Sequence, residues 1–325
     1  MELVSRRRLE LFTGRAHPEL AEEIARCIGV RLGEANLREF ADGEMHCRFG
    51  TSVRGADVFI IQTHAEPVHK SIMEQLIMID AAKRASAKQI TAVCPYYGYS
   101  RQDRKSSGRE PITARLVADL ITAAGANRVM SVDLHSGSIQ GFFDFPVDHL
   151  VAHPVLLDYL RQHDPEEICI VSPDAGRMKV AERFSQALGA NMAIVRKLRP
   201  RGSQNTVLAL SVIGAEFVEG RRCVLIDDMI DTAGTVCAAA ERLIDSGASE
   251  VWAAATHGVL SDPAIDRLKN APISRVILTN TLPIPDDKRL DNLEVLSVAP
   301  LIADAIDAVF EDTSVSEIFG GENLS

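Results

Sequence analysis

The chain has 325 residues, of which 46% are hydrophobic and 25% are charged, so it carries enough apolar material for more than one core. Its 35 Lys and Arg against 45 Asp and Glu give a formal net charge of −10, the wrong sign for a protein that grips nucleic acid mainly through phosphate neutralisation. We find no signal peptide, no run of about 18 uncharged apolar residues and no CxxC pair among the six cysteines. We therefore expect a cytoplasmic protein with reduced thiols and with no membrane or nucleic-acid partner.

Short apolar runs rich in Val and Ile alternate with helical patterns along most of the chain, which is typical of parallel βαβ construction. Several of these runs are apolar throughout, as expected for strands that helices cover on both faces. The sequence therefore predicts an α/β fold with mainly parallel sheets. The predicted strands are 9–13, 58–63, 90–95, 129–134, 168–172, 192–195, 224–227, 251–256, 276–279 and 295–298.

Two strand–helix–strand segments, 57–96 and 223–258, have similar sequences and predict two similar halves. A break in the alternation of strands and helices precedes the second half. We predict an N-terminal domain at 1–149 and a C-terminal domain at 150–325. The last helix, at about 300–310, is a candidate to fold back on the N-terminal domain.

The run PYYGYSRQDRK at 95–105 places three aromatic and three basic residues after a predicted strand. Such a patch on an acidic protein favours a ligand with a polyphosphate and a base. The rings would stack on the base while Arg101 and Arg104 neutralise the phosphates. From this run alone, a solvated loop is the alternative.

Two other predicted strands lead to candidate metal ligands. Asp174 ends the turn VSPD and suits Mg²⁺, which prefers oxygen ligands and takes one or two protein carboxylates. His135 follows strand 129–134 but is a less natural magnesium ligand, so a structural role is its alternative. The other histidines lack such a context, and we expect surface or helix-capping positions for His17, His46, His64, His69, His149, His153 and His163.

Lys197 and Arg199 follow the strand at 192–195 and precede the turn-rich segment 200–203, a composition that favours mobility. Phosphoryl-transfer enzymes use mobile cationic loops to stabilise the spread negative charge of the transition state. Taken alone, these cations favour a solvated basic turn, and the resemblance described below is what favours the catalytic interpretation.

The sharpest motif is CVLIDDMIDTAGT at 223–235, which joins an apolar strand to a helix. In open α/β sheets, ligands bind at the carboxyl edge, where loop hydroxyls and the N–H groups of a helix N-terminus hold a phosphate. Asp227 and Asp228 are placed to accept hydrogen bonds from neighbouring sugar hydroxyls. The motif therefore predicts a sugar-phosphate site. The alternative is an ordinary strand end with Thr232 as a helix cap.

The segment 223–235 resembles the phosphoribosyl diphosphate fingerprint shared by type I phosphoribosyltransferases and ribose-phosphate diphosphokinases. The run 95–105 resembles the PYxGYxRQDRK element of the diphosphokinases (pyrophosphokinases), which simple phosphoribosyltransferases lack. More segments resemble the diphosphokinase family in the same order: 40–44 (FADGE), 52–55, 109–113, 133–135, 139–143, 172–174, Lys197 with 199–200, and 255–261.

This resemblance implies two similar type I phosphoribosyltransferase-like domains, each a mainly parallel sheet flanked by helices. It implies transfer of the β,γ-diphosphoryl group of MgATP to O1 of ribose 5-phosphate. The products would be AMP and phosphoribosyl diphosphate, a precursor of nucleotides, histidine and tryptophan. It also implies a dimer-based homo-oligomer, a hexamer, since in this family the 40–44 loop completes a neighbouring subunit's site.

The resemblance also implies roles for individual residues. For ribose 5-phosphate, Asp227 and Asp228 would bind the ring hydroxyls, and the 5-phosphate would be held by Asp231, Thr232, Ala233, Gly234 and Thr235. ATP would be bound by Phe40, Asp42, Gly43, Glu44, Arg101, Gln102, Asp103 and Lys105. Mg²⁺ would contact His135 and Asp174, with Asp133 as a further candidate. The catalytic residues would be Lys197, Arg199 and His135.

The chain departs from the family pattern at a few positions. Arg177 stands where the family often has the second glycine of SPDxGG, Leu198 replaces a usual arginine, and Asp262 replaces a common glycine. These departures bear on the nucleotide donor, the rate and the regulation. Two other functions are weighed against the diphosphokinase. One is a phosphoribosyltransferase, which shares the 223–235 loop, and the other is a non-enzymatic regulatory paralogue, which should have lost the catalytic cations.

Overall fold

The computed structural model describes residues 7–198 and 209–319, and for residues 197, 198 and 209 it describes the backbone only. Within that part of the chain there are two compact units. The first falls within Met1–Val151, Thr281–Pro283 and Val298–Ser325, and the second within Ala152–Asn280 and Ile284–Ser297. The division into domains at 1–149 and 150–325 stays a prediction.

The first unit contains a five-stranded sheet in the order β1-β4-β5-β6-β7, in which all neighbours are parallel. Strand β4, DVFII, is buried throughout, as a strand covered on both faces must be. A two-stranded antiparallel hairpin, β2-β3, accompanies it. The elements are β1 (Leu9–Thr13), α1 (Pro18–Ile28), β2 (Ala35–Glu39), β3 (Met45–Phe49), β4 (Asp57–Ile61), α2 (Val68–Arg84), β5 (Gln89–Cys94), α3 (Thr113–Ala124), β6 (Arg128–Val132) and β7 (Val147–Leu150).

The second unit contains a seven-stranded sheet in the order β10-β9-β8-β11-β12-β13-β14. Strand β10 is antiparallel to β9, and the other neighbouring pairs are parallel. The elements are α4 (His153–Leu160), β8 (Ile168–Ser172), α5 (Met178–Leu188), β9 (Asn191–Leu198), β10 (Ala209–Ile213), β11 (Arg222–Ile230), α6 (Gly234–Asp245), β12 (Glu250–Gly258), α7 (Ala264–Asn270), β13 (Arg275–Thr279) and β14 (Leu293–Leu296).

The last helix, α8 (Ala299–Phe310), packs against α1 in the first unit. Its side chains Leu301, Ile302 and Ile306 are buried there, so its apolar face contributes to the core of that unit. Among the residues that the structure describes, no helix has both the length and the apolar character to cross a bilayer.

All ten predicted strands are confirmed, with ends that shift by at most three residues, and the mainly parallel α/β fold class is confirmed with them. Four observed strands, β2, β3, β7 and β10, escaped prediction. Strands β2 and β3 carry half-exposed polar residues, so they lack the apolar run that marks a buried strand. The two strands pair because the short turn at 40–44 connects them.

Candidate functional site

The carboxyl ends of β8 and β11 meet at one edge of the second unit's sheet, where the strand order reverses. From β8 the sheet extends through β9 to β10, and from β11 it extends the opposite way to β14. In open α/β sheets, ligands bind in the crevice outside such a switch point. The residues at the ends of β8 and β11 are therefore the first candidates for a binding site.

One guanidinium bridges the two aspartates of β11. Arg177 Nε lies 3.2 Å from Asp227 Oδ1, and its Nη2 lies 2.5 Å from Asp228 Oδ2. Both aspartates lie within β11, because this strand pairs with β12 as far as Ile230, opposite Gly258. The predicted strand end at residue 227 is therefore wrong by three residues. The pairing with Arg177 was not foreseen, although the arginine stood out as a departure from the family pattern.

The acid pair lies in a poorly hydrated position, and this changes its protonation. Burial, together with the adjacent Asp228 carboxylate, raises the pKa of Asp227 to about 8, while the charge of Arg177 opposes that rise. The amide of Asp228 donates to Asp227 Oδ1 at 2.8 Å, which also favours the ionised form. The proton taken up by such a pair belongs to both carboxyl groups. These oxygens can accept hydrogen bonds from the hydroxyls of a sugar.

The loop that follows β11 turns sharply into α6. Ala233 adopts a left-handed backbone with φ of 58°, and α6 begins at the next residue, Gly234. Arg267 of α7 donates from Nη1 to the Thr232 carbonyl at 2.8 Å, so it ties this loop to the neighbouring helix. The N–H groups of the first turn of α6 face the loop end, a geometry that suits an anion. The predicted phosphate residues 231–235 form this turn.

Asp174 caps the turn that follows β8. Its Oδ1 accepts hydrogen bonds from the amides of Gly176 at 2.8 Å and Arg177 at 3.2 Å. The half-buried carboxylate supplies the oxygen ligand that Mg²⁺ prefers, so its chemistry fits the predicted role. Residues 7–198 and 209–319 contain no group of three or more His, Cys, Asp or Glu side chains arranged to hold a metal ion.

Lys197 and Arg199, the cations predicted to act on the transition state, lie at and just beyond the end of the first described stretch of the chain, which stops at residue 198. The backbone of Lys197 lies in β9, paired with Leu210 of β10. The Lys197 side chain and Arg199 lie outside the described residues.

In the first unit, the predicted adenine loop 40–44 is the tip of the β2–β3 hairpin. Phe40 is 45% exposed, and the guanidinium of Arg38 lies 5.1 Å from the centre of its ring. Asp42 Oδ1 accepts from the Glu44 amide at 3.1 Å, and Gly43 takes a φ of 91° that favours glycine. Asp42 therefore shapes the turn, and Phe40 is an exposed aromatic side chain at its start.

The run 95–105 follows β5, and two of its three tyrosines differ from the prediction, whereas Tyr99 is half-buried. Tyr96 and Tyr97 are buried, and the Tyr97 hydroxyl donates to the Ala114 carbonyl at 3.0 Å. The prediction that these rings stack on a base is therefore wrong, because they pack in the core. Gln102 accepts from the Thr113 hydroxyl at 2.6 Å, which joins the run to the start of α3. Three cations of the run are exposed, namely Arg101, Arg104 and Lys105.

Asp133 and His135 follow β6, the neighbour of β5 in the sheet, and both are half-buried. The Asp133 amide donates to the Leu150 carbonyl at 2.8 Å, and its φ of 40° turns the chain sharply after the strand. The structure thus places His135 at the same sheet edge as the run 95–105, whereas Asp174 belongs to the second unit.

His64 was predicted to be a surface or capping residue, and this is wrong because it is completely buried. Its Nε2 lies 2.9 Å from Gln75 Oε1, and its Nδ1 accepts from the Gly98 amide at 2.9 Å. Burial lowers the pKa of His64 to about 4, so the imidazole is neutral. His64 therefore supports the run 95–105 through its hydrogen bond with Gly98. Its position directly after a strand rich in apolar residues is the signal that could have indicated burial.

Known proteins share both the sequence and the fold of this chain. The N-terminal domain of ribose phosphate pyrophosphokinase matches residues 9–125, and the phosphoribosyl synthetase-associated domain matches residues 174–320. The ribose-phosphate pyrophosphokinase of Bifidobacterium longum is 57% identical over 315 residues, covering 96% of this chain and 92% of the relative. That of Mycobacterium tuberculosis (strain ATCC 25618 / H37Rv) is 53% identical over 320 residues, 98% of each chain. A crystal structure of phosphoribosylpyrophosphate synthetase from Mycobacterium smegmatis matches with a TM-score of 0.88 and 51% identity, covering 94% of this chain and all of that one.

Proposed function

Because the chain belongs to the ribose-phosphate pyrophosphokinase family, we propose that it transfers the β,γ-diphosphoryl group of MgATP to O1 of ribose 5-phosphate. The products are phosphoribosyl diphosphate and AMP. The observation that carries this proposal is the juxtaposition, at the switch point of the second unit, of an acid pair and a phosphate-type loop before α6.

Ribose 5-phosphate uses both parts of that juxtaposition. Its ring hydroxyls donate to Asp227 and Asp228, and its 5-phosphate accepts from the N–H groups and hydroxyls of the 231–235 loop. Binding at both ends of the sugar fixes the position of O1, which must approach the β-phosphorus of ATP in line. Such positioning converts a bimolecular encounter into a reaction within one complex.

The nucleotide is assigned to the loops of the first unit. The exposed ring of Phe40 offers a face to adenine, and the exposed cations Arg101 and Lys105 offer charge to the phosphates. Lys197 and Arg199 are proposed to stabilise the negative charge that spreads over the transferred group in the transition state. No side chain is required as a nucleophile in this mechanism.

Magnesium is the proposed metal, with Asp174 as a carboxylate contact and His135, beside Asp133, as the candidate in the first unit. When bound, Mg²⁺ neutralises charge on the phosphates and orients them. The contribution of Asp174 itself is to hold one carboxylate in a fixed direction, since its Oδ1 is anchored by two backbone amides.

A cytoplasmic homo-oligomer is proposed with this activity. Leu116 and Leu120 lie four residues apart on α3, and Ile112 is the residue that precedes this helix; all three are exposed and offer an apolar surface. An uncovered surface of this kind supports contact between copies of the chain. Sedimentation velocity of the wild type and of Leu116→Lys tests it, and a particle of the same size in both would contradict the role of this surface.

The reaction is tested by incubating the purified chain with ribose 5-phosphate, Mg²⁺ and ATP and separating the nucleotides. AMP that requires the sugar supports the proposal, whereas ADP indicates an ordinary kinase. A chain that makes neither, but consumes phosphoribosyl diphosphate with a nucleobase, is a phosphoribosyltransferase. A chain without any turnover fits the regulatory paralogue.

The acid pair is tested in the same assay with Asp228→Asn. Loss of sugar-dependent AMP is expected, because the amide cannot replace a carboxylate that accepts from a hydroxyl while paired with an arginine. Asp245→Asn is the matched control, since Asp245 lies at the far end of α6 and should leave the rate unchanged.

A further inference from the structure

Arg177 contacts both the turn after β8 and the strand β11. Its amide donates to Asp174 Oδ1 at 3.2 Å, and its guanidinium bridges Asp227 and Asp228 at 3.2 Å and 2.5 Å. The side chain of Arg177 is only 18% exposed, so the pairing is held in a sheltered position. Ion pairs of this kind are stronger than surface pairs, because water screens them less.

The positive charge of Arg177 offsets part of the negative charge of the Asp227 and Asp228 carboxylates. Two carboxylates on adjacent residues of one strand repel each other, and burial raises the pKa of Asp227 further. The single guanidinium opposes both effects and directs one oxygen of each carboxylate toward itself. Its planar fork suits this task better than an ammonium group.

We propose that Arg177 is a positioning residue of the ribose 5-phosphate site, which orients the Asp227 and Asp228 carboxylates so that they accept hydrogen bonds from the hydroxyls of the sugar. The inference rests on the proposed function of the acid pair. It assigns a role to a residue that departs from the usual glycine of this family's pattern.

The groups that face the acid pair make the expected pH dependence specific. On β11 Asp227 adjoins Asp228, the turn after β8 contributes Arg177, and β12 places the uncharged Ala255 opposite Asp227. Other titratable residues on these elements are Asp174, which caps the turn after β8, Asp231, after the strand, and His257, opposite Met229. Removing the guanidinium therefore removes a cation that lies within 3.2 Å of both carboxylates, and this raises the proton affinity of the pair.

The test compares wild type, Arg177→Gln, Arg177→Lys and Lys179→Ala in steady-state kinetics between pH 6.5 and 9.5. At pH 7.5, Arg177→Gln should raise the KM for ribose 5-phosphate about tenfold, the loss expected for a charge-assisted hydrogen-bond network, and change kcat much less. That rise in KM should shrink as the pH increases, because alkali ionises the pair without the arginine. Arg177→Lys should recover part of the loss. Lys179 lies two residues on and is exposed, so its removal should change nothing.

A rise in KM by the same factor at every pH would overturn the inference, since a merely structural role predicts that result. An unchanged KM, or a fall in kcat alone, would overturn it too. Calorimetric titration of ribose 5-phosphate into Arg177→Gln and Arg177→Lys, with thermal melts of both, separates weakened binding from misfolding. A wild type that forms no sugar-dependent AMP refutes the proposed function instead. In that case, sugar binding that is equally tight in wild type and Arg177→Gln refutes the inference as well.

Discussion

At the scale of single residues, several side chains that are proposed to bind a ligand also stabilise the loop in which they lie. Asp42 accepts from the Glu44 amide within its own turn, and Gln102 accepts from the Thr113 hydroxyl at the start of α3. Asp174 likewise caps the turn that carries it. In each case a short polar side chain satisfies nearby backbone or side-chain donors, which fixes the loop before any ligand arrives. Replacing such a residue therefore disturbs the geometry of the loop as well as a contact.

Lys197→Ala should lower kcat by about two to three powers of ten and leave binding of ribose 5-phosphate nearly intact, as expected for a charge that acts mainly in the transition state. The measurement is steady-state kinetics together with calorimetric titration of the sugar. Arg196→Ala is the matched control, because Arg196 is the preceding, exposed cation of β9. An unchanged kcat in Lys197→Ala would remove Lys197 from the proposed role.

Gly98→Ala should weaken ATP binding. A Cβ at this position would lie 2.8 Å from Val68 Cγ1 and 2.9 Å from His64 Cβ, so the run 95–105 would have to shift. Overpacking of this kind costs about 1–3 kcal/mol, and we expect a lower melting temperature and a KM for ATP that rises several-fold. Gly108→Ala is the control, since a Cβ at Gly108 meets no atom within 4 Å. Equal effects of the two substitutions would contradict the prediction.

At the scale of elements, the phosphate-type loop depends on a helix that follows it in the chain. Arg267 of α7 reaches the Thr232 carbonyl, and its Nη1 would lie 3.3 Å from a Cβ built on Gly234. The 231–235 loop therefore continues into α6 and is stabilised by a hydrogen bond from α7. The sequence indicated α6 through the motif at 223–235, whereas the contact from α7 spans 35 residues and has no sequence signal.

Arg267→Ala should raise the KM for ribose 5-phosphate several-fold, because loss of one hydrogen bond of about 1 kcal/mol lets the loop sample other conformations. The value of kcat should change less, since Arg267 is not assigned to the reacting phosphates. Kinetics with varied sugar concentration measure both. Lys269→Ala on the same helix serves as the control. A comparable rise in KM in that variant would mean that loss of positive charge on α7, and not loss of the hydrogen bond to Thr232, weakens sugar binding.

At the scale of the whole molecule, buried ionisable groups make the stability of the fold depend on pH. His64 is fully buried with its pKa lowered to about 4, below its ordinary value of 6.5. The unfolded chain therefore binds a proton at His64 in the window between pH 6.5 and 4 that the folded chain does not bind. Acidification through this window favours unfolding. Asp227, whose pKa is raised, has the opposite trend between its ordinary value and about pH 8.

His64→Asn isolates the histidine contribution to the free energy of unfolding. At pH 7.5 the variant should be less stable, because it loses the ring packing and the contact with Gln75. Its deficit should shrink as the pH falls to 4.5, since the proton linkage of His64 is worth up to roughly 3 kcal/mol over its full window. Urea unfolding at several pH values measures this. His69→Asn, at an exposed histidine of α2, is the control variant. A stability deficit in His64→Asn that is the same at every pH would contradict the prediction.

Much of this architecture could be predicted from local patterns. Apolar runs in the sequence identify the buried strands, because a strand covered on both faces needs apolar residues at every position. The half-exposed hairpin β2-β3 lacks that signal. The tyrosines of the run 95–105 show another limit, because an aromatic residue has the same sequence signature whether it stacks on a ligand or packs in a core, as Tyr97 does.

The sequence by itself determined the α/β alternation, the positions of the phosphate-type loop and the acid pair, and the resemblance to the diphosphokinases, since all of these depend on residues that are close along the chain. Only the tertiary structure decided that Arg177 forms ion pairs with Asp227 and Asp228, and that His64 accepts a hydrogen bond from the Gly98 amide. These contacts join residues 34 to 51 positions apart. Which of them form depends on the order of strands in each sheet, and that order is set by packing of the whole unit and by no single segment.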